Sequence, residues 1–324
     1  MILPLQQITF EALGTAWNLQ YASERPDALL PEKISREIMR INRLFSRFDP
    51  GSQLSQLNKN RHGNMTPEFM ELFVLAEKYV LQTDGRFTPL ASPMHFGYVE
   101  SFLTHVPVAQ KSQHINMDWH LLKRHDHTLT LAPGQFLDFG GIGKGYLIDR
   151  LMPILLTASP HVLIDGGGDI RVAGGDGSGG AWRLGLEDPT EHGDERILEL
   201  WDGALATSGT YRRKWGAFHH LISAQEGGPK AHAPLAISAQ APTATLADVA
   251  ATTLMVTPAD ERAAMASKLQ VRWGSWSKSG WSGWNGGSSL IIRPMRVVCV
   301  GYPHSYPCPI PSPTFLCFPC CKKP

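Results

Sequence analysis

Residues 137 to 146 read Leu137-Asp138-Phe139-Gly140-Gly141-Ile142-Gly143-Lys144-Gly145-Tyr146. A strand expected from Leu129 to Phe139 leads into this stretch, which carries an acid near the strand's end. Its glycines permit a tight turn and close approach of a ligand, and a helix then opens with a lysine near its amino end. Leu147, Ile148, Leu151 and Leu155 continue at helical spacing, with Pro153 expected to kink or shorten the helix. The stretch is not a Walker loop, because Asp138 stands where that motif needs glycine and Lys144 is followed by Gly145 rather than Ser or Thr. It is not a dinucleotide fingerprint either, since the third glycine position holds Tyr146. Two readings stay open from these residues alone: the glycines cradle a phosphate, or they serve only the packing of a tight turn.

Elements on either side place this unit in a mixed fold. Alternating apolar and polar residues from Ile8 through Trp17, Leu19 and Tyr21, broken at Gly14, predict a strand or hairpin. Ile34, Ile38, Ile41 and Leu44 or Phe45 predict an amphipathic helix, ended by the Asp49-Pro50-Gly51 turn. A second helix is marked by Thr66 as N-cap, Pro67 at the first helical position, and an apolar face of Phe69, Leu72, Phe73, Ala76 and Val80. After the glycine unit, strands are expected at His161 to Ile164, Trp182 to Leu186 and Ile197 to Leu200, and a helix of small residues at Thr245 to Val256. This mixture predicts an α+β domain, with α/β-type mixed sheets and packed helices. Beyond about Asp260 the pattern decays, so the catalytic domain is expected to occupy 1–257 and an atypical, poorly ordered tail 258–324.

Composition separates the same two parts. The chain has 324 residues, 43% hydrophobic and 18% charged, enough apolar content for a real core and too much for a disordered protein. Its net charge of +1 divides into 23 basic against 29 acidic residues over 1–262, a net of −6, and seven basic with no acidic residues over 263–324. All five cysteines, Cys299, Cys308, Cys317, Cys320 and Cys321, fall in the tail, so the chemistry of the body rests on oxygen and nitrogen groups. The Trp, Pro and Cys-rich tail reads as an unrelated extension, of the kind a shift of reading frame produces. No secretory signal, lipid-bearing cysteine or apolar run of about 20 residues is visible, so the chain as written reads as cytoplasmic.

Several residues are candidates for chemistry. Asp248 and Thr252 lie four apart on a helix otherwise made of Ala, Leu, Val and Thr, so a carboxylate and a hydroxyl share one face. Such hard oxygen donors suit Mg²⁺ better than Zn²⁺. Equally open is a local role, with Asp248 favouring the helix amino end and Thr252 bonding back to the preceding turn. Ala206 to Arg213 offers hydroxyls and a cationic pair, but a nucleophile elbow would need glycine at 206. His219 and His220 are candidates for a general base.

Taken in order, these segments resemble the ApbE-type FAD:protein FMN transferases. The stretches that carry the resemblance are Leu13 to Trp17, Phe45 to Asn58, Asp84 to Leu90 with Phe96 to Tyr98, Asp138 to Asp149, Val162 to Gly174, Ala206 to Arg213, His219 to Pro229 and Ala247 to Val256. The resemblance implies a single ApbE/T-fold-like domain and a Mg²⁺-dependent reaction. A Thr or Ser hydroxyl of an acceptor protein attacks the FMN phosphorus of FAD, AMP leaves, and FMN remains as a phosphoester. It implies metal ligation by the Gly141 carbonyl with the side chains of Asp248 and Thr252. Contacts to FAD fall on Leu13, Phe48, Arg86, Phe87, Thr88, Asp138 and Lys144, and His220 accepts or relays the hydroxyl proton. FAD hydrolysis to FMN and AMP and non-catalytic FAD binding are the alternatives, and no nucleic-acid partner is expected. Family members are often exported and membrane-anchored. Ser223 to Gly227 stands where the family usually has Asp-Pro-x-Thr-Gly, and Thr88 where it often has Asp or Asn.

Overall fold

The computed structural model describes residues 3–98, 111–112, 114–190, 196–211, 214–215 and 218–286. The alternation near the amino end forms the hairpin β1 (Leu5–Ala12) and β2 (Thr15–Ala22). Leu13 and Gly14 join the strands at φ 50° and 72°, the left-handed pair that a two-residue hairpin turn requires. Then come α1 (Leu30–Phe45), α2 (Gln53–Asn60), β3 (His62–Asn64), α3 (Pro67–Gln82), β4 (Lys123–His125) and β5 (Thr128–Thr130). The capping residue expected for α3 acts as one, with Thr66 Oγ1 accepting from the Phe69 N–H at 3.3 Å. The central unit is α4 (Gly143–Leu156), β6 (Val162–Gly166) and β7 (Ile170–Ala173), followed by the hairpin β8 (Trp182–Leu186) and β9 (Arg196–Leu200). After β10 (Gly203–Gly209) come two small hairpins, β11 (Lys214–Trp215) with β12 (Phe218–His219) and β13 (Ile222–Ser223) with β14 (Gly228–Pro229). The described chain ends with β15 (Ala236–Ala241), α5 (Ala244–Val256), α6 (Arg262–Leu269), β16 (Arg272–Ser277) and β17 (Gly280–Trp281).

Eight strands form one sheet in the order β1-β2-β6-β7-β10-β15-β16-β17, and every pairing among the described strands is antiparallel. Antiparallel pairing with helices gathered on one side defines an α+β fold. The two-residue period of a strand assigns the faces. Trp17, Leu19, Tyr21, Val162, Ile164, Ala204, Ala206, Ile237 and Ala239 bury against the apolar faces of α1, α3, α4 and α5. Leu163, Val172 and Leu205 point the other way, into a second cluster with Trp182, Leu184 and Leu198 of the β8–β9 hairpin. No helix among the described residues is long and apolar enough to cross a membrane.

Two expectations change. The strand expected from Leu129 to Phe139 is confined to β5, because Pro133 has no N–H to donate and Gly134 turns at φ 79°. The chain then runs as a loop, held where the Asp138 N–H donates to the Pro89 carbonyl at 2.8 Å. Pro153 lies inside α4, which ends three residues later at Leu156. The fold also passes the boundary drawn at Thr257. α6 buries Met265, Ala266 and Leu269, and β16 pairs with β15 from Gln240↔Arg272 to Ala236↔Trp276, with Trp276 only 1% exposed. The rest of the expected tail, 287–324, with every cysteine, lies outside the described residues.

α4 and α5 lock together at their amino ends. A Cβ built on Gly145 would lie 2.4 Å from the Ala244 carbonyl oxygen and 2.7 Å from Thr245 Cα, so only glycine admits this approach of two backbones. Asp149 of α4 accepts from the Ala244 and Thr245 N–H groups of α5 at 2.9 and 2.8 Å, and from Thr245 Oγ1 at 2.5 Å. Asp248 of α5 in turn accepts from the Gly145 N–H at 3.1 Å. Each helix thus supplies a carboxylate to the positive end of the other. Gly145→Ala forces backbone apart and is expected to cost about 1–3 kcal/mol of stability, read as a lower urea midpoint with unchanged slope.

Candidate active site

The helix junction opens onto a cleft of about 920 Å³, a size suited to one extended small molecule. Its walls come from the β1–β2 turn, the loop after α3, the glycine loop before α4, the β6–β7 turn, β10, the segment after β12, and α5. Among the residues expected from sequence, Arg86, Phe87, Thr88, Asp138, Gly141, Lys144, His220, Asp248 and Thr252 all line it. Leu13 and Phe48 do not: Leu13 sits in the hairpin turn beside the lining residues Gly14 and Thr15, and Phe48 packs edge-on against Tyr98 at 6.0 Å.

Asp138 organises one wall. Its carboxylate is 5% exposed and accepts from the Arg47 guanidinium, from Ser92 Oγ at 2.6 Å and from the Gly140 N–H at 2.8 Å. Arg47 is held in turn by aromatic faces, its guanidinium carbon 4.7 Å from the Phe48 ring centre and 4.6 Å from that of Tyr98. With three donors already on it, Asp138 acts chiefly by holding Arg47 and the glycine loop in place. Arg86 lines the cleft while its guanidinium pairs with Glu261 at the start of α6.

The opposite wall carries the densest charge. Lys144 Nζ lies 2.5 Å from Asp169 Oδ2 and 3.6 Å from Asp248 Oδ2, and both carboxylate side chains are 4% exposed. Burial, reinforced by the nearby Asp248 charge, raises the Asp169 carboxyl to about 7 against the opposing pull of the Lys144 ammonium. The Gly143 N–H donates to the Phe139 carbonyl at 2.7 Å and the Gly145 N–H to Asp248. Two donors of the first turn of α4 are therefore committed within the protein, and anion recognition at this end falls to the Lys144 side chain more than to the helix backbone.

Gly141 and Thr252 lie side by side where loop and helix touch, with Asp248 one turn earlier on α5. A Cβ on Gly141 would lie 3.4 Å from Thr252 Cγ2 and 3.7 Å from Thr252 Oγ1, which sets the Gly141 backbone beside the Thr252 hydroxyl. Ser208 Oγ of β10 is 3.3 Å from the same hydroxyl. The Asp248 carboxylate and the Thr252 hydroxyl, both lining the cleft, are oxygen donors of the kind that fits a hard divalent cation.

Sequence reasoning named the stretches that contain Arg47, Asp169 and Ser208 without singling those residues out. Each gains its role from partners 91, 25 and 44 positions away in the chain. Arg212 and Arg213 lie outside the described residues. Ser223, in place of a common family carboxylate, is 1% exposed and is not part of the cleft lining. Its Oγ accepts from the Glu226 N–H at 3.3 Å and so shapes the β13–β14 turn, while the Glu226 carboxylate turns to Lys230 and the Ala231 N–H. Arg47→Ala strands a buried carboxylate and is expected to cost about 3 kcal/mol in urea unfolding. Arg47→Lys should recover only part of this, because an ammonium does not replace a guanidinium packed against the Phe48 and Tyr98 rings.

The sequence model of the ApbE family matches residues 13–273. The FAD:protein FMN transferase of Haemophilus influenzae is 28% identical over 285 residues, covering 80% of this chain and 82% of that protein. That of Chlamydia pneumoniae is 27% identical over 249 residues, with 72% and 78% covered. The flavin transferase ApbE from Vibrio cholerae shares the fold with a TM-score of 0.74 at 21% identity, covering 89% of this chain and 98% of that one. For the ApbE protein from Thermotoga maritima the TM-score is 0.76 at 22% identity, with 88% and 97% covered. From the β1–β2 turn into β16, on a fold that those two structures share over nearly their whole length, this chain belongs to the ApbE family.

Proposed function

We propose that this protein transfers FMN from FAD to a Thr or Ser hydroxyl of an acceptor protein, with release of AMP and dependence on Mg²⁺. The single observation behind this reading is that Lys144, Asp248, Thr252 and the Gly141 backbone, all expected on resemblance, line one cleft of about 920 Å³. The relatives from H. influenzae and C. pneumoniae, each a FAD:protein FMN transferase, support the same reaction.

In this reading the acceptor oxygen bonds to the FMN phosphorus while the anhydride P–O bond to AMP breaks. The hydroxyl proton leaves through His220, which lines the cleft. Lys144 draws a diphosphate oxygen toward the α4 end and holds it against the developing charge. The Gly141 carbonyl, Asp248 and Thr252 would hold Mg²⁺, whose chemistry is to neutralise charge on the diphosphate and the departing AMP oxygen. Phe87 and Tyr98 give the cleft apolar surface for a flat ring. Water in place of the acceptor would turn the same site into a FAD hydrolase.

Incubation with FAD, Mg²⁺ and an acceptor carrying a flavinylation motif should leave covalent flavin fluorescence on a denaturing gel. Asp248→Ala should lower the rate by more than about 100-fold, and chelation by EDTA should have the same effect. His220→Ala should cost on the order of 10²- to 10⁴-fold. Transfer by Asp248→Ala at the wild-type rate would overturn the reading, and AMP release that ignores the acceptor would replace it with hydrolysis.

A further inference from the structure

Asp248, which lines the cleft, and Asp169, between the lining residues Gly168 and Ile170, are almost wholly buried, and one ammonium serves both. Asp169 comes from the β6–β7 turn, Asp248 from α5 and Lys144 from the first turn of α4. A buried carboxylate without compensating charge is costly, and removing the partner of such a group commonly costs several kcal/mol, far more than a surface pair is worth. We propose that Lys144 is the resident counter-cation of the cleft, balancing Asp169 and Asp248 whenever no divalent ion does, and that a divalent ion at Asp248 competes with it and leaves it on Asp169.

The distances set the order of events. At 2.5 Å Lys144 makes a charge-assisted hydrogen bond to Asp169, whereas at 3.6 Å its hold on Asp248 is Coulombic only. Asp248 is thus the contact given up more easily. Its carboxylate keeps its place without Lys144, because the Gly145 N–H at 3.1 Å also anchors it. The lysine stem is flexible and its head carries three donors, so the ammonium swings from Asp248 toward a diphosphate oxygen while it stays tied to Asp169. Asp169 is then a positioning residue, which acts through Lys144 and sets how strongly the ammonium opposes the divalent ion. The inference rests on the proposed cation site at Asp248 and Thr252, and it does not depend on the transfer step.

The test is a stability cycle in EDTA on the full chain, with wild type, Lys144→Met, Asp169→Asn and the double variant, followed by calorimetric titration with Mg²⁺ alone. Lys144→Met should lower the melting temperature, and adding Asp169→Asn should restore part of the loss by removing the uncompensated carboxylate. A lysine that serves only packing gives no such recovery. Lys144→Met should also bind Mg²⁺ about tenfold more tightly than wild type, since a positive charge no longer faces the ion. Asp169→Asn, close to isosteric and the arm to rely on if Lys144→Met does not fold, should bind Mg²⁺ more weakly, because Lys144 then rests on Asp248 alone. The proposal is overturned by a double variant no more stable than Lys144→Met, by Lys144→Met binding Mg²⁺ no more tightly than wild type, or by Asp169→Asn binding it as well as or better than wild type. A wild type that transfers no FMN while the cycle behaves as described would sink the transfer reading and leave the counter-cation in place.

Discussion

The exchange of carboxylates between α4 and α5 is the contact on which the rest of this molecule depends. Asp149 satisfies the first N–H groups of α5, Asp248 satisfies an N–H in the first turn of α4, and Gly145 lets the two backbones come close enough for both. Arg171 of β7 holds Asp149 from the sheet side at 2.6 Å, so the junction is fixed to the strand that pairs with β10. An ion at a helix terminus is worth about 0.3–1 kcal/mol on a surface and up to about 2 kcal/mol where partly buried, so the pair contributes materially to a domain of ordinary stability. The same geometry aims Lys144 and Asp248 into one cleft. Structural and functional demands on residues 144 to 149 therefore cannot be separated by sequence pattern.

The two walls of the cleft use charge differently. On the Asp138 side charge is matched, with Arg47 packed against two aromatic rings and the Asp138 carboxylate accepting from three donors. Such a wall is rigid and presents shape. On the Asp248 side the buried carboxylates of Asp169 and Asp248 share one lysine. Phosphoryl transfer asks for this division, because its catalysis is mostly positioning plus stabilisation of charge that appears only during reaction.

Much of the fold was legible from periodicity. Ile34, Ile38, Ile41 and Leu44 bury as their spacing requires, and Thr66 caps α3. Where the structure departs from periodicity, the deciding factor is whether the backbone has a strand to pair with. Residues 131–139 are apolar enough for a strand, yet Pro133 and Gly134 leave the backbone no ladder to join. Conversely, Trp273 to Ser277 looked like part of a degenerate tail, because Gly and Ser dilute the alternation. β15 supplies the missing partner, and Trp276 then buries fully.

By itself the sequence determined which functional groups this protein can bring to its chemistry. A body free of cysteine, with a glycine loop opening onto a lysine and with Asp248 and Thr252 one helical turn apart, is limited to oxygen and nitrogen ligands and suited to a phosphate and a hard cation. The family resemblance, carried by eight short stretches, named the reaction. Tertiary structure alone decided which residues act together. Arg47 reaches Asp138 across 91 positions, and Asp169 takes hold of Lys144 across 25. Ser223 turns away into a hairpin, and Gly145 answers to the Ala244 carbonyl rather than to a ligand. Local spacing fixes a side chain's face on its own element, but a carboxylate's partner depends on which elements pack against it, and packing is a property of the whole chain.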